Sequence, residues 1–74
     1  MTLDQQTITK VLAANYAAAA ALLAAAAQDV TAAAAAAEAG QMNLAVGTAL
    51  GAEADATKAL ALMQAASTIR QTAA

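Results

Sequence analysis

Residues 17–27 read AAAAALLAAAA, and residues 32–37 add six further alanines, so that 29 of the 74 residues are alanine. Alanine is the best helix former because it loses no side-chain entropy in a helix. Burying its small methyl group, however, contributes only about 0.8 kcal/mol. The sequence therefore predicts an all-α fold in which the helices pack closely but bury little apolar surface.

The length and composition leave one source of additional stability. A chain of 74 residues forms a single domain. Domains shorter than about 70–80 residues usually need a disulfide, a metal ion or a partner subunit. The sequence contains no Cys and no His, so disulfides and the usual zinc ligands are excluded. We therefore expect the chain to associate with copies of itself.

The helix-breaking residues predict a helical hairpin. The sequence has no Pro, and Gly40 is the first of its three glycines. Gly40 suits the left-handed position after a helix, and Asn43 can cap a second helix. We therefore predict two long antiparallel helices at about residues 3–39 and 44–72, joined by a turn at about 40–43. Thr2 is the predicted cap of the first helix, and a break at residues 28–31 would give three helices instead.

The first helix shows an apolar stripe and an apolar back. Its stripe has heptad-like spacing, which is typical of a coiled-coil seam. The seam combines two columns, which are Leu12, Ala19, Ala26, Ala33 and Tyr16, Leu23, Val30, Ala37. The opposite side carries no charge over Ala13, Ala17, Ala20 and Ala24. A surface helix of a monomer would carry charges there, so this side is a candidate contact with another chain.

The second helix also indicates more than one neighbour. Its large apolar residues lie on two sides, whereas a lone hairpin supplies only one neighbouring helix. Gly47 and Gly51 are separated by one helical turn, which allows another backbone to approach closely. They are candidate contact residues, although two tolerated glycines would give the same pattern. Asn15 lies within the stripe of the first helix, either as a boundary residue or as a group that fixes helix register.

The inventory of reactive residues argues against an enzyme. Without His or Cys, and with Ser67 as the only serine, the chain cannot form a catalytic triad or a thiol site. No phosphate-binding loop or metal-ligand spacing is present, so we expect no catalytic residues, cofactor or metal. The net charge of −2 argues against binding to nucleic acid. Residues 1–10 are polar, so no signal peptide is expected, and the sequence does not define the compartment.

These observations favour a structural subunit that assembles into a filament, ribbon or other homopolymer. In composition the chain resembles R-body-type ribbon subunits and the alanine-rich helical cores of secreted filaments, although no motif carries that comparison. Close-packed small residues would allow many copies to stack in layers or around a helical axis. The predicted partners are copies of the same chain.

Two alternatives belong to other classes. Residues 31–37, TAAAAAA, resemble the alanine-rich helical antifreeze proteins, which place Thr at eleven-residue intervals. Here Thr57 and Thr68 have that spacing, and Thr9 and Thr31 lie twice as far apart with Ala20 between them. The resemblance implies ice binding. The second alternative is a membrane-active helix, because residues 11–27 carry no charge, although a spanning helix needs about 20 strongly apolar residues.

Overall fold

Two long helices form an antiparallel hairpin. The computed structural model describes residues 4–73, with side chains for residues 4–71. Helix α1 spans Gln5–Glu38 and helix α2 spans Met42–Ala73, and no strand occurs among these residues. The Cα atoms extend over 56 × 14 × 11 Å, which is the shape of two rods lying side by side. Helix α1 continues without a break through residues 28–31, so the three-helix alternative is wrong.

Asp4 caps the start of α1. Its side chain accepts a hydrogen bond from the Thr7 backbone N–H at 2.7 Å, which satisfies one of the unpaired donors of the first turn. This backbone hydrogen bond, together with the Thr7 side chain, lowers the pKa of Asp4. The helix therefore begins at Gln5, two residues later than predicted. Thr2, the predicted cap, lies outside the described residues.

A tight turn at Ala39, Gly40 and Gln41 reverses the chain. Gly40 has a φ of +80°, a left-handed conformation that glycine adopts without strain. Two hydrogen bonds close the end of α1, from Gly40 N–H to the Ala37 carbonyl at 3.0 Å and from Gln41 N–H to the Ala36 carbonyl at 2.9 Å. This arrangement, a Schellman motif, completes the turn within three residues.

Helix α2 starts earlier than the sequence suggests. The Gln41 carbonyl already accepts a hydrogen bond from the Ala45 N–H at 3.0 Å, so α2 begins at Met42. Asn43 therefore lies in the first turn of α2, and its predicted role as the N-cap is wrong. The physical reason is the compact turn, which leaves no linker residue between Gln41 and the second helix.

The two helices meet along an alanine seam. The seam consists of the buried residues, which are Ala19, Ala26, Ala33 and Ala36 of α1 and Ala45, Ala52, Ala59 and Ala66 of α2. All are at most 8% exposed, and no larger side chain is fully buried in the described part of the chain. Because methyl groups fill the seam, the backbones can approach at the low end of the usual helix spacing of about 8–10 Å.

Polar residues interrupt the seam and mark its register. The Asn15 side chain donates a hydrogen bond from Nδ2 to the Leu62 carbonyl at 3.3 Å and is partly buried. This contact links the outer halves of the two helices. Nearer the turn, Asp29 faces Gly51, where a Cβ would lie 3.8 Å from Oδ2 of Asp29. The antiparallel register therefore places Asn15 and Asp29 beside α2, where both are half-buried.

Candidate assembly surfaces

Of the fifteen large apolar side chains in the described part of the chain, eight are exposed and seven are half-buried. The eight are 42–61% exposed. They are Tyr16, Leu23, Val30, Met42, Leu44, Val46, Leu50 and Leu60. The seam buries alanine methyls instead, which is the reverse of the usual preference for burying Leu, Val and Met. The hairpin thus leaves about half of its large apolar side chains exposed to solvent.

Six of these eight side chains lie on one broad side of the hairpin. We call this side the large-residue face, made up of Tyr16, Leu23, Val30, Met42, Val46 and Leu60. On α1, Leu23 and Val30 follow a buried alanine by four residues, and Tyr16 follows the half-buried Leu12 by four. On α2 the members of the face follow a buried alanine by one residue or precede it by three. At about 100° per residue, all of these offsets rotate in the same sense away from the seam. In an antiparallel pair, equal rotation places both sets on the same side.

A shared depression supports this assignment. Its lining brings Tyr16 of α1 together with Ser67, Arg70 and Gln71 of α2. Ser67 follows the buried Ala66 by one residue and Arg70 follows it by four, the same offsets that define the large-residue face. Tyr16 and these α2 positions therefore do lie on one side of the hairpin.

The large-residue face carries little charge. Among the described charged residues, only Glu53 and Arg70 occupy positions with its offsets from the seam. Glu53 follows the buried Ala52 directly, and Arg70 lies in the last turn of α2. Most of the face between them consists of large apolar residues and alanine. Such a surface is poorly suited to permanent exposure to water.

The opposite broad side is different in character. We call it the small-residue face, which includes Ala18, Ala25 and Ala32 of α1 and Leu44, Gly51, Lys58 and Ala65 of α2. Each of these residues directly precedes a seam alanine. The carboxylate of Asp29 approaches Gly51 at this side, and Lys58 is exposed there. The hairpin therefore has two chemically distinct broad faces.

The contact residues predicted on α1 lie away from α2. Ala13, Ala17, Ala20 and Ala24 are all exposed, as expected for the back of a hairpin helix. The hairpin itself does not use them, so they remain available to another chain. Whether a second copy covers them stays a prediction.

The paired glycines of α2 have different surroundings. A Cβ at Gly47 would meet nothing within 4 Å, so no other part of the hairpin packs closely against this glycine. Gly51 lies beside Asp29, where a Cβ would make only an ordinary contact. Any close approach that requires Gly47 must therefore involve a neighbouring chain.

The predicted heptad seam of α1 is half correct. Its first column contains the buried Ala19, Ala26 and Ala33. Its second column is exposed, with Tyr16 at 48%, Leu23 at 42% and Val30 at 55%. The positions one residue earlier, Asn15, Leu22 and Asp29, turn towards α2 instead. Hydrophobicity predicted that the column of larger side chains would face α2. Because the alanines pack closely, the column that faces α2 is instead the one that contains Asn15 and Asp29.

The threonine hydroxyls bond to their own helices. Each of four exposed hydroxyls donates to the carbonyl four residues earlier, at 2.9–3.0 Å. They belong to Thr9, Thr31, Thr57 and Thr68, two on each helix. The four threonines therefore form no single row along one helix.

Helix α1 is long and apolar enough to cross a membrane. Its best 18-residue window has a mean hydropathy of 1.5, and only 11% of that window is buried within the hairpin. It is the one such helix among the described residues. No protein-family model matches the chain, and comparison with curated proteins and with solved structures gives no match either.

Proposed function

We propose that the protein is a structural subunit that assembles with copies of itself into a filament, ribbon or other homopolymer. The observation that carries this proposal is the inverted distribution of apolar residues. Alanine methyls occupy the seam, while eight larger apolar side chains are 42–61% exposed. A further interface is the simplest way to remove these side chains from water.

The total surface supports the same proposal. The hairpin exposes 5188 Å². A compact monomer of its mass, 7.1 kDa, would expose about 4,100 Å² by the usual scaling of area with mass. The excess surface area arises because two helices lying side by side bury surface only along their seam. Association of rods along their length reduces this excess directly.

The exposed back of α1 is a second proposed contact. Its alanines, Ala13, Ala17, Ala20 and Ala24, would allow the α1 helix of another copy to approach closely. Ala17 and Ala24, which precede seam alanines by two residues, lie beyond the edge of the large-residue face, so each hairpin has more than one contact surface. An open polymer requires at least two such surfaces per subunit.

The proposal is tested by the size of the purified protein in solution and by negative-stain microscopy. We expect the unmodified chain to form particles well above the mass of one hairpin. Ala24→Glu places a charge at the α1 contact and should reduce particle size while retaining helicity, because Glu is a good helix former. Gln64→Glu, an added charge on the outer side of α2, is the matched control and should assemble normally.

A second candidate function is association of α1 with a membrane, which its hydropathy and low burial favour. The back-bonded hydroxyls of Thr9 and Thr31 would be compatible with an apolar environment. Co-sedimentation with phosphatidylcholine vesicles discriminates between the two functions. For a membrane-active chain, the fraction of protein in the pellet would rise with the amount of lipid. An assembling subunit would form the same particles with or without vesicles.

A further inference from the structure

We infer that the large-residue face of one hairpin packs against the same face of a second copy, and that the resulting two-fold four-helix bundle is the building block of the assembly. This inference rests on the proposed function and adds the surface, the occupant and the symmetry. The face itself is defined by six exposed side chains on one broad side, which are Tyr16, Leu23, Val30, Met42, Val46 and Leu60.

The size of the face matches that of a stable dimer interface. The broad side of the hairpin measures 56 × 14 Å between Cα atoms, a product of roughly 780 Å². Stable interfaces bury about 800 Å² on each partner. One copy laid along the full length of another therefore supplies the required area. A short peptide or a small ligand would leave most of the face in water.

The weak seam of the hairpin favours a second copy as the occupant. The buried residues of the seam are all alanine, and a chain of this size usually needs additional stabilisation. A partner that completes the core must be present whenever the chain folds, and another copy of the chain always meets that condition. The scarcity of charge on the face also suits a permanent interface, since interface centres are depleted of charged residues.

The chemistry of the two faces favours like-with-like pairing. If the large-residue face stacked on the small-residue face, it would cover Lys58 and the Asp29 carboxylate that lies beside Gly51. Burying such charges beneath Leu and Val side chains is costly. Pairing two large-residue faces leaves Lys58 and Asp29 outside the interface, and Glu53 and Arg70 are then the described charged residues of each face. A contact between identical surfaces is isologous and closes with two-fold symmetry.

The first experiment compares acidic substitutions at exposed leucines. Leu23→Glu and Leu60→Glu lie on the large-residue face, at 42% and 52% exposure, whereas Leu44→Glu lies on the opposite broad side at 57% exposure, because Leu44 directly precedes the buried Ala45. Sedimentation equilibrium should give a dimer, or a multiple of it, for the unmodified chain. We expect each variant on the face to weaken dimerisation at least about tenfold, because the partner would bury an unpaired charge. The Leu44→Glu control should retain the dimer.

A second measurement uses the unmodified protein and does not depend on variants that fold. Tyr16 is the only aromatic residue and lies on the large-residue face. Its fluorescence should be protected from acrylamide at concentrations where the chain is dimeric, and should become accessible on dilution. Assembly with Tyr16 fully accessible, or equal dissociation of Leu44→Glu and Leu23→Glu, would overturn the inference and leave the proposed function intact. A chain that is monomeric at every concentration would overturn both.

Discussion

At the scale of single residues, alanine acts here as the packing residue of a helix pair. Ala59 and Ala66 are fully buried, and the other seam alanines are nearly so. Each contributes little hydrophobic free energy, but together they allow the helices to approach closely over their whole length. Size is therefore more important than hydrophobicity at these positions, and a larger side chain should be harmful.

Ala59→Leu tests that requirement. Leucine at this fully buried position would separate the helices, and we expect a loss of about 1–3 kcal/mol in the free energy of unfolding. Ala61→Leu, on an exposed position of the same helix, is the control and should change stability by less than about 0.5 kcal/mol. Urea unfolding followed by circular dichroism measures both. Equal stability of the two variants would show that the seam tolerates added volume.

Asp4 makes the start of α1 sensitive to acid. Its pKa in the folded chain is lowered below the ordinary value of 3.8, chiefly by the Thr7 backbone hydrogen bond. Its contribution to helix stability should therefore be complete above that value and should disappear as the pH falls through the folded pKa. Asp4→Asn keeps a capping side chain that does not titrate. In the parent, the protection factor of the Thr7 amide against hydrogen exchange should fall as Asp4 is protonated. In Asp4→Asn this protection factor should stay constant over the same pH range.

At the scale of the elements, the turn depends on one glycine. Gly40→Ala would place a side chain at a φ of +80°, and we expect it to cost roughly 1–2 kcal/mol. Gly47→Ala is the matched comparison, because it is helical and has open space for a Cβ within the hairpin. It should stabilise the helix by about 0.5–1 kcal/mol. Thermal unfolding at one low protein concentration should give a lower melting temperature for Gly40→Ala and a higher one for Gly47→Ala than for the unmodified chain.

The same elements show how far sequence reasoning extends. Helix content followed from alanine and the missing proline, and the chain reversal followed from Gly40. The helix ends were less predictable, because α1 begins at Gln5 after the Asp4 cap and the compact turn removes Asn43 from the cap of α2. The face of α1 that meets α2 was resolved only in part. Hydrophobicity ranked Tyr16 and Leu23 above Asn15 and Asp29, but close packing of alanines decides the rotation of the helix.

At the scale of the whole molecule, the candidate surfaces follow from how each helix is rotated about its axis when the seam alanines pack together. The sequence singled out the back of α1 and the paired glycines, which the hairpin leaves exposed. It did not predict that six large apolar residues from both helices would gather on one broad side. That result depends on the antiparallel register and on the seam, neither of which a single helix pattern contains. A heptad count on both helices together was the signal that could have identified it.

The balance between a thin seam and a large exposed face makes one prediction for the intact protein. If association completes the core, folding and assembly are linked, and the melting temperature should rise with protein concentration. We expect a clear rise over a hundredfold range of concentration, followed by circular dichroism. Leu23→Glu should melt lower and lose most of this dependence, whereas Leu44→Glu should keep it, because only the first lies on the large-residue face. A melting temperature of the unmodified chain that is independent of concentration would mean that the alanine seam alone stabilises the hairpin.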